Sequence, residues 1–84
     1  MIKLNKINDK ELSKIVGGRL RSARSHSGLS QTDLQNITGI DRATLSRIEN
    51  GNQRISLYQF LQVINALNVD LNFILDGIEV DNEN

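Results

Sequence analysis

Apolar residues recur at helical spacing in four stretches of the chain. The first stretch begins after Asn8, whose side chain forms a candidate capping pair with Glu11, and it ends near Ser27-Gly28. Its apolar residues fall on one face of a helix: Leu12, Ile15, Val16, Leu20 and Ala23. The pattern predicts a long amphipathic first helix that buries one face.

The next three helix starts share one device, an apolar residue directly before a capping residue. These pairs are Leu29-Ser30, Ile40-Asp41 and Ile55-Ser56. We expect the carboxylate of Asp41 to cap its helix, which gives a structural reason for an acid at this position. Gly39 and Gly51 end the second and third helices. The predicted helices span residues 31–38, 42–50 and 57–67.

The segment from Val69 to Leu75 fits two structures. Its apolar residues alternate as in a strand, whereas Leu71, Ile74 and Leu75 also fit a short helix capped by Asp70. The predicted fold class is therefore all-α, a compact four- or five-helix bundle in which residues 69–75 form a fifth helix or a strand. This domain covers residues 9–76, between a basic N-terminal arm at 1–8 and an acidic tail at 77–84 that we expect to be disordered.

Charge is distributed unevenly along the chain, although the 84 residues have a formal net charge of zero. Four of the ten acidic residues lie after Leu75 with no basic residue among them, so the rest of the chain carries six acids against ten basic residues. The six arginines all lie between residues 19 and 54, and their planar guanidinium groups suit phosphates and guanine edges. This balance permits nucleic-acid binding.

Several classes of protein are disfavoured by composition. The chain has no cysteine and one histidine, His26, so neither a disulfide framework nor a metal site is expected, and no cofactor is implied. No catalytic triad or pair of carboxylates stands out, so we expect no enzyme. No apolar run has the length of a signal peptide or a membrane span, and we therefore expect a cytoplasmic protein.

The second and third predicted helices, joined by a glycine turn, have the form of a helix-turn-helix. On the third helix Leu45 and Ile48 face the core, and the opposite side carries candidate base-contacting residues: Arg42, Ala43, Thr44, Ser46 and Arg47. Candidate phosphate-contacting residues lie at the start of the second helix and after the third: Gln31, Asn50, Asn52 and Arg54. A plain turn also explains residues 50–52, since Asn and Gly favour turns.

Several motifs at consistent spacing resemble the Cro/cI-type helix-turn-helix regulators, the XRE family. They are Leu20-Arg21-x-x-Arg24, Gly28-Leu29-Ser30-Gln31-x-x-Leu34, and Leu45 to Gly51. The resemblance runs from about Val16 to Leu75, and within the family it extends to HipB-like antitoxins. It implies a lambda-repressor-like DNA-binding domain and an ion pair between Arg24 and Glu49. It also implies that Gln31 touches the DNA backbone and that Arg42, Ala43, Ser46 and Arg47 meet base edges.

The expected function is that of a repressor acting as a homodimer on a palindromic operator, and one setting for it is as the antitoxin of an operon that it represses. The predicted dimer interface uses apolar residues of the fourth helix and the following segment: Tyr58, Val63, Val69, Leu71, Phe73 and Leu75. Two alternatives stay open. The chain could bind and neutralise a toxin kinase or another protein, or it could be a restriction-modification controller.

Overall fold

A computed structural model describes residues 6–82 of the chain, which contain five helices. These are α1 (Asp9–His26), α2 (Gln31–Thr38), α3 (Arg42–Glu49), α4 (Leu57–Leu67) and α5 (Leu71–Leu75). The predicted all-α bundle is confirmed, and the segment whose pattern was ambiguous contains a fifth helix. The third helix ends one residue earlier than predicted, because Asn50 is its C-terminal cap.

Three of the helices begin with a capping box, each at a capping residue that the sequence predicts. Asn8 pairs with Glu11, Ser30 with Asp33, and Ser56 with Gln59, and each pair exchanges two hydrogen bonds between side chains and backbone N–H groups. At α2 the Ser30 N–H donates to Asp33 Oδ2 at 2.8 Å, and the Asp33 N–H donates to Ser30 Oγ at 2.9 Å. The pKa of the Asp33 carboxyl is lowered. The largest cause is the hydrogen bond from the Ser30 backbone N–H, and the next is the hydrogen bond with the Ser30 side chain.

The start of α3 is capped differently from the prediction. Asp41 occupies the N-cap position with extended backbone, but its side chain makes no capping hydrogen bond. Instead the Arg42 N–H donates to Oε1 of Gln35 at 2.6 Å. Gln35 lies on α2, so its carboxamide joins the two helices of the motif across their turn. The predicted capping role of Asp41 is therefore wrong, because a side chain from the neighbouring helix supplies the acceptor.

One hydrophobic core is shared by all five helices. It is built from α1 (Val16, Leu20, Ala23), α2 and its turn (Leu34, Ile40), α3 (Leu45, Ile48), α4 (Phe60, Val63, Ile64, Leu67) and α5 (Ile74). Val63 is only 2% exposed. The prediction that Val63 belongs to a dimer interface is therefore wrong, because Val63 lies on the side of α4 that packs into the core.

The two ends of the described chain meet in a short parallel β-bridge between Ile7 and Val80. The Ile7 N–H donates to Glu79 O, and the Asp81 N–H donates to Ile7 O, both at 2.9 Å. Ile7 is buried, and Ile78 packs against the core. At residues 78–81 the structure therefore differs from the disordered tail that the sequence predicted from residue 77. The rest of the predicted arm and tail, residues 1–5 and 83–84, lies outside the described residues.

The side chains of Arg19 and Gln62 each donate hydrogen bonds to carbonyl oxygens at the C-terminal end of another helix. Nη1 of Arg19 donates to the carbonyl oxygens of Ile74 at 2.8 Å and Asp76 at 2.7 Å, at the C-terminal end of α5. Nε2 of Gln62 donates to the Thr38 carbonyl at the end of α2, at 3.0 Å. Carbonyls at the end of a helix lack partners within it, so these donors stabilise both ends and fix how the helices pack.

A glycine in α1 permits the close approach of α1 to the end of α3. A Cβ added to Gly17 would lie 2.1 Å from the carbonyl oxygen of Ile48, a backbone atom that cannot rotate away. The same addition at Gly18 meets nothing within 4 Å. The position of α3 therefore depends on the absence of a side chain at Gly17.

We expect Gly17→Ala to destabilise the fold by about 1 to 3 kcal/mol, because α1 and α3 must move apart and the core must repack. Gly18→Ala is the matched control. It should be neutral or stabilise by up to about 1 kcal/mol, since alanine is the better helix former and the site is open. Urea denaturation followed by circular dichroism measures both changes. Equal stability of the two variants would contradict the predicted close contact.

Candidate nucleic-acid interface

The turn between α2 and α3 fixes the two helices of the motif against one core. Gly39 ends α2 in the left-handed conformation at φ +80°, and its N–H donates to Gln35 O at 2.8 Å. The next N–H, that of Ile40, donates to Oγ1 of Thr38 at 3.1 Å. Leu34 and Leu45, one on each helix, are among the most deeply buried residues. The outward face of α3 is therefore held by packing on its opposite side.

That outward face carries the residues predicted to meet base edges. Arg42, Ala43 and Arg47 are exposed, while Thr44 and Ser46 are half-buried. Leu45 and Ile48 on the other side are in the core, as predicted. Within the described residues the Arg42 guanidinium has no hydrogen bond or ion pair. The face offers a guanidinium, hydroxyls and a methyl group, the groups that read bases in a major groove.

Arg47 is held in place by two neighbours. Its Nε donates to Oε1 of Gln53 at 2.8 Å, and its Nη2 donates to Oγ1 of Thr44 at 3.1 Å. The guanidinium therefore bridges Thr44 on α3 and Gln53 in the following loop. The sequence motif did not predict a role for Gln53. Its hydrogen bond with Arg47 spans the turn after α3, and the sequence alone does not specify the geometry of that turn.

Arg24 and Glu49 form the ion pair that the family resemblance implies. Nε of Arg24 donates to Oε2 of Glu49 at 2.7 Å and Nη2 donates to Oε1 at 2.9 Å, while Nη1 donates to the Leu29 carbonyl at 2.9 Å. The Glu49 side chain is only 4% exposed. The pKa of Arg24 is raised, and the largest cause is its hydrogen bonding to the Glu49 carboxylate. The pair joins the end of α3 to α1.

Gln31 belongs to the same network. Its Nε2 donates to Oε1 of Glu49 at 3.0 Å. Glu49 thus holds both the C-terminal part of α1 and the first residue of α2. The side-chain amide of Gln31, a predicted phosphate contact, is therefore directed at Glu49.

The loop after α3 carries the other predicted phosphate contacts. Asn50, Asn52 and Arg54 are all exposed. Gly51, at φ +76°, lies against α1, since a Cβ there would be 2.8 Å from the Cα of Lys14. Arg54 forms an ion pair with Asp9 in the first turn of α1. This loop is therefore anchored to α1 on one side and open to solvent on the other.

Several exposed large apolar side chains lie on α4 and α5. Tyr58 is 75% and Phe73 69% exposed, and Leu71 and Leu75 are each 39% exposed. Of the other predicted interface residues, Val69 is half-buried and Val63 is in the core. The sequence prediction omitted Leu57 and Leu61, which are also exposed. An apolar groove between α1 and α4, lined by Leu12, Leu57 and Leu75, adjoins this face.

Among residues 6–82, no group of three or more His, Cys, Asp or Glu side chains could hold a metal ion. No helix in the same range is both long enough and apolar enough to cross a membrane.

Comparison with known proteins defines the class of this fold and site. The helix-turn-helix family model matches residues 20–74, which is more than half of the chain. The chain belongs to the helix-turn-helix family of XRE-type regulators. Its family and its similarity to known regulators support a DNA-binding transcriptional regulator.

Two solved structures illustrate the similarity. The clp gene regulator ClgR from C. glutamicum has a TM-score of 0.73 and 26% sequence identity, covering 76% of this chain and 82% of that one. The restriction-modification controller protein C.AhdI from Aeromonas hydrophila has a TM-score of 0.69 and 32% identity, covering 74% of this chain and 94% of that one. A search of curated proteins gave no match.

Proposed function

We propose that the protein is a sequence-specific transcriptional repressor that acts in the cytoplasm as a homodimer on a palindromic operator. The observation that carries this proposal is α3, whose polar face is open while its apolar face is fixed in the core of a helix-turn-helix domain. In the proposed complex Arg42, Ala43, Thr44, Ser46 and Arg47 meet base edges in the major groove. Asn50, Asn52 and Arg54 face the flanking phosphates, and Gln31 meets phosphate with the N–H groups that Glu49 does not accept.

Binding to DNA is tested by fluorescence anisotropy with a labelled DNA duplex over a series of salt concentrations. Lysine and arginine contacts with phosphates release counterions, so the logarithm of the affinity should fall linearly with the logarithm of the salt concentration. Affinity that is undetectable at low salt, or that does not depend on salt, would contradict the proposed function.

The homodimer is supported by the exposed apolar face on α4 and α5. A soluble monomer seldom exposes so many large apolar residues together, and a two-fold dimer would place two α3 helices in successive major grooves. Tyr58, Val69, Leu71, Phe73 and Leu75 remain the proposed interface. Leu57 and Leu61 extend the same face.

We expect Phe73→Asp to convert the dimer to a monomer, because it places a charge in the apolar interface. Light scattering at micromolar protein concentration should give about twice the monomer mass for the wild type and the monomer mass for the variant. Arg21→Asp is a control, since Arg21 is an exposed side chain on α1. A wild-type monomer, or a Phe73→Asp dimer as stable as the wild type, would contradict the proposed interface.

A second candidate function is that of a restriction-modification controller. The similarity to C.AhdI, at 32% identity over 94% of that protein, favours this candidate. A third setting, an antitoxin that also binds a toxin kinase, would use the exposed apolar face for the partner protein. A stable complex with a co-expressed neighbouring gene product would favour the third setting over the first two.

A further inference from the structure

A polar cleft separates the first turns of α1 from the loop that follows α3. Asp9, Lys10 and Ser13 line one wall, and residues 51–54 line the other. Lys14 lies one turn beyond Lys10 on α1, directly against Gly51. The cleft therefore adjoins the loop that carries the proposed phosphate contacts.

The charges of this cleft are incompletely balanced. Lys10 and Arg54 line the cleft and Lys14 lies beside it against Gly51, which gives three positive charges. The carboxylate in the cleft is that of Asp9, which forms an ion pair with Arg54. Among residues 6–82, neither Lys10 nor Lys14 forms an ion pair or a side-chain hydrogen bond. Arg54 and Asp9 are both largely exposed, at 75% and 56% of their side-chain surface, so their ion pair is weak and exchangeable.

We propose that this cleft is an additional DNA phosphate site, in which Lys10 and Lys14 bind the backbone beside Arg54 and the Asp9 carboxylate occupies the phosphate position in the free protein. The proposal rests on the proposed DNA-binding function. A carboxylate and a phosphate both present oxygens to a guanidinium fork, so one can replace the other. Asp9 then competes with DNA for Arg54 and lowers the affinity of the wild-type protein.

The lysines are tested first, with a labelled random-sequence duplex as the probe, because phosphate contacts do not depend on sequence. Lys10→Gln and Lys14→Gln keep most of each side chain and remove its charge. Each should reduce the slope of log affinity against log salt by about one. An unchanged slope in both variants would overturn the proposed site. Thermal melts by circular dichroism establish that each variant is folded.

Asp9 is tested by a double-mutant cycle with Arg54. Asp9→Asn should raise the affinity for the same duplex by about two- to fivefold, the equivalent of one exposed ion pair. In the Arg54→Ala background the same substitution should change the affinity little, since Asp9 then has no guanidinium to withhold. Asp76→Asn, beyond α5, removes an equal charge elsewhere and should have no such coupling with Arg54.

Two results would overturn the role of Asp9. One is an equal rise in affinity in both backgrounds, which would show a general effect of net charge. The other is an equal rise from Asp76→Asn. Failure of the proposed function is distinguishable from both, because the wild-type protein would then lack salt-dependent binding to the duplex altogether.

Discussion

Glu49→Ala is expected to destabilise the fold by about 3 kcal/mol, because it leaves the Arg24 guanidinium largely buried without its anion. Glu49 accepts two hydrogen bonds from Arg24 and one from Gln31, so a single truncation removes the acceptor that joins α1, α2 and α3. For a domain of this size the melting temperature should fall by roughly 10 to 25 °C. Differential scanning calorimetry measures the change.

The control for this prediction replaces the whole pair. Arg24→Met combined with Glu49→Leu removes both charges and fills the space with apolar atoms, so it should recover much of the lost stability. Glu11→Ala on α1 removes an exposed carboxylate and should cost only about 1 kcal/mol, through the capping box of that helix. A melting temperature that Glu49→Ala leaves unchanged would contradict the role of the pair.

The second large effect is expected from the arginines on the outward face of α3. Each of Arg42→Ala and Arg47→Ala should cost about 1 to 3 kcal/mol in binding the preferred DNA sequence, because a guanidinium that meets two acceptors of guanine is lost. Combined, the two substitutions should reduce the affinity by roughly one to four orders of magnitude. Affinities for the preferred duplex and for a scrambled duplex measure this loss as a change in their ratio.

Arg54→Ala serves as the comparison for the two arginines of α3. Arg54 lies beyond the helix, where it would meet phosphate, so its loss should weaken binding to both duplexes equally and reduce the salt slope by about one. If Arg42→Ala and Arg47→Ala also weaken both duplexes equally, these two arginines hold the backbone and do not read bases.

Local sequence signals predicted most of the helical structure. A capping box is a contact between residues three positions apart, so the pairs Ser30 with Asp33 and Ser56 with Gln59 specify their helix starts wherever the rest of the chain lies. The helical spacing of Leu45 and Ile48 among polar residues likewise predicted which face of α3 is buried. The Arg24 and Glu49 pair came from the family resemblance, since nothing local joins two residues so far apart.

The features that the sequence did not predict all depend on contacts between different elements of the fold. Gln35 caps α3 in place of Asp41 because the packing of α2 brings its carboxamide to the Arg42 N–H. The apolar arc of α4 is wide, and only the packing against its neighbours decides that Val63 faces inward. Ile7 and Val80 pair across nearly the whole length of the chain, which the acidic composition around Val80 conceals.

Selection from a pool of random duplexes tests whether α3 reads a DNA sequence. The wild-type protein should enrich an inverted repeat whose half-sites lie about one helical turn apart, since a two-fold dimer places its two α3 helices at that spacing. The variant lacking both Arg42 and Arg47 side chains, carried through the same selection, should lose this enrichment. A wild-type pool with no enriched sequence, or the same sequence enriched by the variant, would contradict the account.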